Sequence, residues 1–354
     1  MKSNYDILGN HIRLIDTRNR ESITDRVLGI NIDKVFMPSV ANVIGTDLSK
    51  YKLITKGKFA CNPMHVGRDE RLPVALYDEE EPAIVSPAYF MFEVVDNSIL
   101  NEDYLMMWFR RPEFDRICWL HTDGSVRGGI TWDDICRLEL PIPPIEKQLE
   151  IVNSYKAITE RIALKKKIND NLEATAFAIY RETFITSRSA NWNKGTLSDL
   201  LAVKYGKDHK HLADGTIPLY GSGGIMRYVE KSLYDKVSVL IPRKGTLSNV
   251  LYVDEPFWSV DTMFYTEISK PYAAKFIYYF VKSKDLAGMD TGSAVPSMSS
   301  EIIHSMELDI PDDETLISFD KCLCPLYKQI KINNQECDKL KSLQGILLTT
   351  ISSR

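Results

Sequence analysis

Eight loops carry the side chains in this chain best suited to chemistry, and that chemistry is hydrogen bonding. In the first half, Lys34 lies in KVFMPSVAN (34–42) and Lys56 in TKGK (55–58). His65, Arg68 and Arg71 share HVGRDER (65–71), and Ser125 and Arg127 share DGSVRGG (123–129). In the second half, Lys204, Lys207 and Lys210 lie in KYGKDHKH (204–211), and Ser222 and Arg227 in YGSGGIMRYVEK (220–231). Arg243, Lys244, Ser248 and Asn249 share RKGTLSN (243–249), and Ser293 lies in GSAVPSMSS (292–300). Arginine and lysine suit guanine edges and phosphates, asparagine suits adenine, and glycine lets a backbone come close. Any one of these loops alone reads as a solvated turn. Comparable sets in both halves strengthen the case for nucleic acid. The acids Asp78–Glu81 read as the opposite side of the first unit.

Catalysis needs convergent groups, and no such set can be assembled. Lys244-Gly245-Thr246 lacks the upstream glycine of a phosphate loop. Gly221-Ser222-Gly223-Gly224 leads into more extended sequence, so it reads as a turn and not as a dinucleotide fingerprint. His209 and His211 have no carboxylate at ligand spacing. Asn62-Pro63-Met64-His65 is only a faint echo of the tetrad used by DNA amino-methyltransferases. The six cysteines, Cys61, Cys118, Cys136, Cys322, Cys324 and Cys337, form no C-x-x-C pair, so they read as ordinary thiols of a reducing compartment. No catalytic residue and no metal ligand is expected, and the chain reads as a non-enzyme.

The elements that must position the loops are laid out by a repeat. LELPIPPIE (138–146) matches MELDIPDDE (306–314) at an offset of 168, and the alignment runs on without a gap in both directions. The chain has 354 residues, so this is one duplicated unit of nearly half its length. Proline and early acids after each match are helix-start signals. Apolar residues then recur at spacings of four and three. In the first helix they are Ile151, Tyr155, Ile158, Ile162, Leu172, Ala176 and Ile179; in the second, Phe319, Leu323, Leu326, Ile330, Leu340, Leu347 and Ile351. Both stripes break at the same rungs, Lys165 and Asn169 in one and Asn333 and Cys337 in the other. Such a stripe is a coiled-coil seam, and polar rungs within it fix register. The shared register favours mutual antiparallel pairing over two helices packed separately. At 1.5 Å per residue, each helix of about 40 residues would run about 60 Å. Pro325 is expected to kink the second one in its first turns.

Before each helix lies a mixed unit of short strands and turns. KFAC (58–61), VALY (74–77) and AYFMFEVV (88–95) read as strands in the first, and VSVLIP (237–242), NVLYV (249–253) and MFYTEI (263–268) in the second. A helix follows in each, over 103–119 and 272–288. TSRSANWNKG (186–195) is the natural boundary, with Trp192-Asn193 opening the second unit. The expected fold is α+β, two mixed α/β recognition domains in tandem, over 1–142 and 189–310. Each is followed by a long helix, over 143–188 and 311–354, the two pairing about a pseudo-two-fold axis.

Charge and length set the limits. Forty-four Lys+Arg against 48 Asp+Glu give a net charge of −4, which argues mildly against a protein that coats DNA nonspecifically. Local basic loops remain compatible with that total. No run approaches 18 apolar residues, so no membrane span is expected. The N-terminal MKSNYDILGNHIRLIDTRNR has no apolar signal core, which reads as cytoplasmic.

The chain resembles the DNA-specificity subunit of type I restriction-modification systems. The resemblance is carried by LPIPPIEKQLEIV (140–152) leading into a long helix, and by IPLYGSGGI (217–225), VLIPRKGTLSNVLYVDEPFWSVDTMFY (239–265) and GSAVPSMSSEII (292–303), in order and with the family's spacing. FMPSVANVIG (36–45) and SPAYFMFEV (86–94) resemble a different recognition-domain subtype. The resemblance implies two target-recognition domains that read the halves of a bipartite, asymmetric duplex site. It implies helices that set the gap and dock two methyltransferase subunits, in an assembly that recruits endonuclease/translocase subunits. AdoMet, ATP and Mg²⁺ would belong to those partners, and the free chain would bind DNA only modestly. In the second copy PIPPIEKQ is matched by DIPDDETL, which lacks the second proline and the glutamine. The competing readings are a coiled-coil scaffold with two protein-binding domains and no DNA role, and a self-sufficient methyltransferase.

Overall fold

A computed structural model describes residues 5–40, 43–64, 66–122, 129–289 and 297–351, without the Arg68 side chain. The fold is α+β and divides into two units, Met1–Lys165 with Gln335–Arg354, and Lys166–Asn334.

In the first unit an antiparallel sheet runs in the order Ile12–Leu14, Phe90–Val94, Lys58–Cys61, Val74–Tyr77. A second sheet runs Phe36–Pro38, Val27–Ile30, Ala83–Val85, Lys52–Ile54. The inner strands Lys58–Cys61, Ala83–Val85 and Phe90–Val94 bury nearly continuous runs, and Phe59 stacks on Phe92 with ring centroids 5.0 Å apart. Helices Glu102–Phe109 and Pro112–Leu120 cover the core with Tyr104, Leu105, Trp108, Phe109 and Phe114. The single helix expected over 103–119 is therefore two. Pro112 lacks the N–H that would continue the first helix, and it opens the second, where an N–H would be unpaired in any case.

In the second unit an antiparallel sheet runs Leu201–Tyr205, Met263–Ile268, Ser238–Pro242, Leu251–Val253. A smaller sheet runs Gly224–Val229, Asp214–Gly221, Trp258–Ser259. Helix Ala274–Lys282 buries Phe276, Ile277, Tyr279 and Val281 against the first of these sheets. Taken in chain order, the four-stranded antiparallel sheets of both units place their strands first, fourth, second, third.

Each unit is closed by a short antiparallel pair just before its long helix, Tyr5–Ile7 with Glu139–Pro141 and Asn193–Thr196 with Glu307–Ile310. The 168-residue offset is visible here in three dimensions. Thr131 caps helix Trp132–Cys136, and Ser299 caps helix Ser300–His304 by accepting from the N–H of Ile302. The two helix starts differ. Gln148 is fully buried, accepts from the Asn101 N–H and donates to the carbonyls of Ile99 and Pro143, whereas its counterpart Leu316 enters the apolar core of the second unit.

The long helices span Ile145–Arg181, extended by a π turn over Glu182–Thr186, and Asp313–Thr350, which is continuous through Pro325. The proline removes one hydrogen bond from a helix otherwise held by its packed face. All twelve seam residues (Ile151, Tyr155, Ile158, Ile162, Leu172, Ile179, Phe319, Leu323, Leu326, Ile330, Leu340 and Leu347) are buried or half-buried. Within the first unit, Gln344 donates to Thr159 at 2.7 Å and Glu336 takes ion pairs from Arg161 and Lys165. Within the second unit, Asn169 meets Asn333 and Asn334, and the Tyr180 ring lies 6.3 Å from that of Phe319. Among the described residues, no helix is long and apolar enough to cross a membrane.

Candidate nucleic-acid interface

The second unit gathers three of its donor-rich loops. Gly221-Ser222-Gly223-Gly224 is the turn of the hairpin formed by Asp214–Gly221 and Gly224–Val229, as its glycines require. The turn leaves Gly224 at φ +110, a conformation open to glycine and strained for other residues. Loop 243–249 packs directly on it. Asn249 donates from Nδ2 to the Ser222 carbonyl at 2.9 Å, and Gly245, at φ +86, would bring any added Cβ to 2.9 Å from the Ser222 hydroxyl. The third loop, 206–212, is tied in by Arg227. Its guanidinium donates to the carbonyls of His209 and Leu212, at 2.8 and 3.0 Å, and pairs with Asp214 at 2.9 Å. Trp258 closes the same loop through an indole N–H on the Lys207 carbonyl at 3.1 Å.

Arg243 is half-buried over the Tyr205 ring, 5.4 Å from its centroid, and donates to the Asp261 carbonyl at 3.1 Å. Its backbone N–H and that of Lys244 both donate to the Thr262 carbonyl. The guanidinium is thus held in place while retaining donors for a ligand. Among the described residues, Lys207, Lys210 and Lys244 are exposed and have no carboxylate partner. The surface can therefore offer free positive charge to a phosphate and fixed donors to a base edge.

The structure brings Lys207, Lys210, Ser222, Arg227, Arg243, Lys244, Ser248 and Asn249 onto these neighbouring loops. Three of the eight have local employment, Arg227 as the clamp, Asn249 as the brace and Arg243 on Tyr205 and the Asp261 carbonyl. Lys204 sits on the adjoining strand with Glu267 at 3.5 Å. Ser293 lies outside the described residues, as do His65, Ser125, Arg127 and the side chain of Arg68.

The first unit disperses its candidates. Lys56 is exposed and paired with Glu80, which raises its pKa above the ordinary lysine value. Arg71 is exposed, 3.4 Å from Asp33. Lys34 corrects the expectation: it is buried, at φ +63, with its ammonium on the Phe109 carbonyl, 2.7 Å from Asp115 and 4.7 Å from the Phe114 centroid. Burial lowers its pKa, against the pull of Asp115. A lysine committed to the core in this way cannot reach a phosphate.

Sequence reasoning missed the aromatic and apolar part of the candidate surface. Tyr205, Ile225, Met226 and Tyr228 are each about half exposed on the second unit, next to its basic loops. The signal was present in the interleaving of Lys204 with Tyr205 and of Arg227 with Met226 and Tyr228. Among the described residues, no cluster of three His, Cys, Asp or Glu side chains is arranged to hold a metal ion.

Among the comparisons with known proteins, a family model matches the same half of the chain and solved structures match nearly all of it. Residues 189–342 match the family model described as type I restriction modification DNA specificity domain. The crystal structure of the S subunit of a type I restriction-modification system from M. genitalium superposes with a TM-score of 0.60 at 16% identity, covering 100% of this chain and 97% of that one. A structure described for complex assembly and conformational transition of the type I R-M system gives 0.48 at 13% identity, covering 98% and 96%. The HsdS subunit from Thermoanaerobacter tengcongensis gives 0.35 at 14% identity, covering 98% and 95%. No curated protein matches the chain.

Proposed function

We propose that this chain, whose residues 189–342 match the type I restriction modification DNA specificity domain, is the sequence-reading subunit of such a system. Each unit reads one half of a bipartite, asymmetric duplex site, and partner subunits methylate adenines or cut. The observation that carries this reading is the coincidence of the matched segment with the unit whose Ser222, Arg243, Lys244 and Asn249 are braced on one surface. In this reading, loops 206–212 and 243–249 take phosphates and base edges, and this chain performs no chemistry. AdoMet, ATP and Mg²⁺ belong to two methyltransferase subunits and to endonuclease/translocase subunits.

The long helices pair as an antiparallel coiled coil. Contacts of Thr159 with Gln344, Lys165 with Glu336 and Asn169 with Asn333 support this, since the residue numbers rise on one helix as they fall on the other. Polar rungs then fix the alignment of an otherwise apolar seam. The test is to express the chain with a type I methyltransferase subunit and map modified adenines across the host genome. A bipartite motif that depends on this chain is expected. Methylation that is absent, or unchanged without the chain, overturns the proposal.

A further inference from the structure

The hairpin Asp214–Val229 shows an irregularity where its partner loops converge. Its ladder pairs Tyr220 with Ile225 but Leu219 with Arg227, so Met226 is an extra residue with no partner opposite. A bulge of this kind breaks the alternation of a strand and re-aims its side chains. Without it, Ile225 and Met226 would face opposite sides of the ribbon. Instead Ile225 is 50% exposed and Met226 58%, with Tyr228 at 48% on the same edge strand. Gly221 makes room for this arrangement, because a Cβ there would stand 2.6 Å from the Met226 sulfur. Exposing two large apolar side chains side by side costs stability, and the charges next to them point to what covers them. Lys207, Lys210 and Lys244 lie on the loops flanking the hairpin without carboxylate partners, which complements a polyanion.

We infer that the bulged hairpin of the second unit enters the major groove and that Ile225 and Met226 read thymine through its 5-methyl group. The inference rests on the proposed function and deepens it. A two-stranded ribbon fits the major groove, the thymine methyl is the one apolar feature on a base edge there, and donors alone cannot recognise it. Arg243 and Lys244 supply the polar contacts beside the hairpin, so the second unit is specified for a half-site that contains A·T pairs.

The experiment uses the full chain in complex with the methyltransferase subunit and a duplex carrying the mapped site. Thymines in each half-site are replaced in turn by deoxyuridine, which removes only the methyl group. For the unaltered protein, at least one such replacement in one half-site is expected to weaken binding about threefold to tenfold, the scale of losing one or two buried methyls. Ile225→Ala and Met226→Ala should bind the thymine duplex more weakly and bind thymine and deoxyuridine duplexes alike. Equal binding of both duplexes by the unaltered protein, for every thymine of both half-sites, overturns the inference. So does retained thymine discrimination in the variants together with lost co-purification of the methyltransferase, which would make the hairpin a protein-docking edge. Absence of any chain-dependent methylation strikes the proposed function itself, a separate and distinguishable result.

Discussion

Asn333 Nδ2 donates to Asn169 Oδ1 at 2.7 Å, joining the polar rungs of the two long helices. Asn333 is 1% exposed and also accepts from Gln329 at 2.9 Å, while Asn169 donates to Asn334 at 2.8 Å. Asn333→Ala leaves the Gln329 donor and the Asn169 acceptor short of a partner. A loss of about 1–3 kcal/mol is expected, read as a lower urea midpoint. Replacing Asn169 and Asn333 together by leucine should recover most of that loss, because it removes both members of the inner pair at once and leaves only the exposed amides of Gln329 and Asn334, which water can satisfy, while permitting alternative helix alignments. A double variant no more stable than Asn333→Ala would show that the cluster has no such role.

Lys34 and Asp115 form a buried ion pair at 2.7 Å, and Asp115 also accepts from the Leu72 N–H at 3.1 Å. Lys34→Met keeps the aliphatic stem but strands a carboxylate in the core. The expected cost is about 3–5 kcal/mol, measured as a drop in thermal or urea midpoint. Lys34→Met with Asp115→Asn should be less damaging than Lys34→Met alone. Damage no smaller in the double variant would count against the pairing as the source of the effect.

The repeat was legible because packing preserves it where the duplicated chain meets its long helix. Glu139–Pro141 and Glu307–Ile310, and the caps Thr131 and Ser299, hold the same offset because each makes the same local bonds. The four-stranded antiparallel sheets share strand order with no constant offset, as Lys58–Cys61 and Ser238–Pro242 show. Loops of different length separate their strands, so the common topology cannot be read from aligned residues. Lys34 misled because a positive-φ turn aims its stem inward, while its neighbours Val35 and Val40 remain exposed. The bulge at Met226 has no local signature either, since it depends on register with the opposite strand.

Glu336 provides a pH test of the helix contacts in the first unit. Hydrogen bonds from Lys165 and Arg161 lower its pKa below the ordinary value of 4.5. A carboxylate with a depressed folded-state pKa stabilises above its unfolded value, and that contribution is lost as pH falls through the lower folded value. Glu336→Gln should therefore be less stable than the parent above pH 4.5, and the two should converge in more acidic solution. A difference that persists unchanged into acid would show that the carboxylate charge is not what matters.

Arg243 is the residue on which readout by the second unit should depend most sharply. Its guanidinium is stacked on Tyr205 and bonded to the Asp261 carbonyl, so its orientation is set before any ligand arrives. Arg243→Ala should reduce methylation at one half of the bipartite site by about tenfold, the value of one good base-edge contact, and leave stability close to the parent. Arg243→Lys keeps the charge but loses the planar fork, so it should recover the phosphate-like, salt-dependent part of binding without the sequence preference. Lys244→Ala, by contrast, should weaken binding to all sequences alike and flatten its salt dependence. Mapping methylated adenines for the three variants separates these outcomes, and unchanged methylation in Arg243→Ala would remove that residue from the interface.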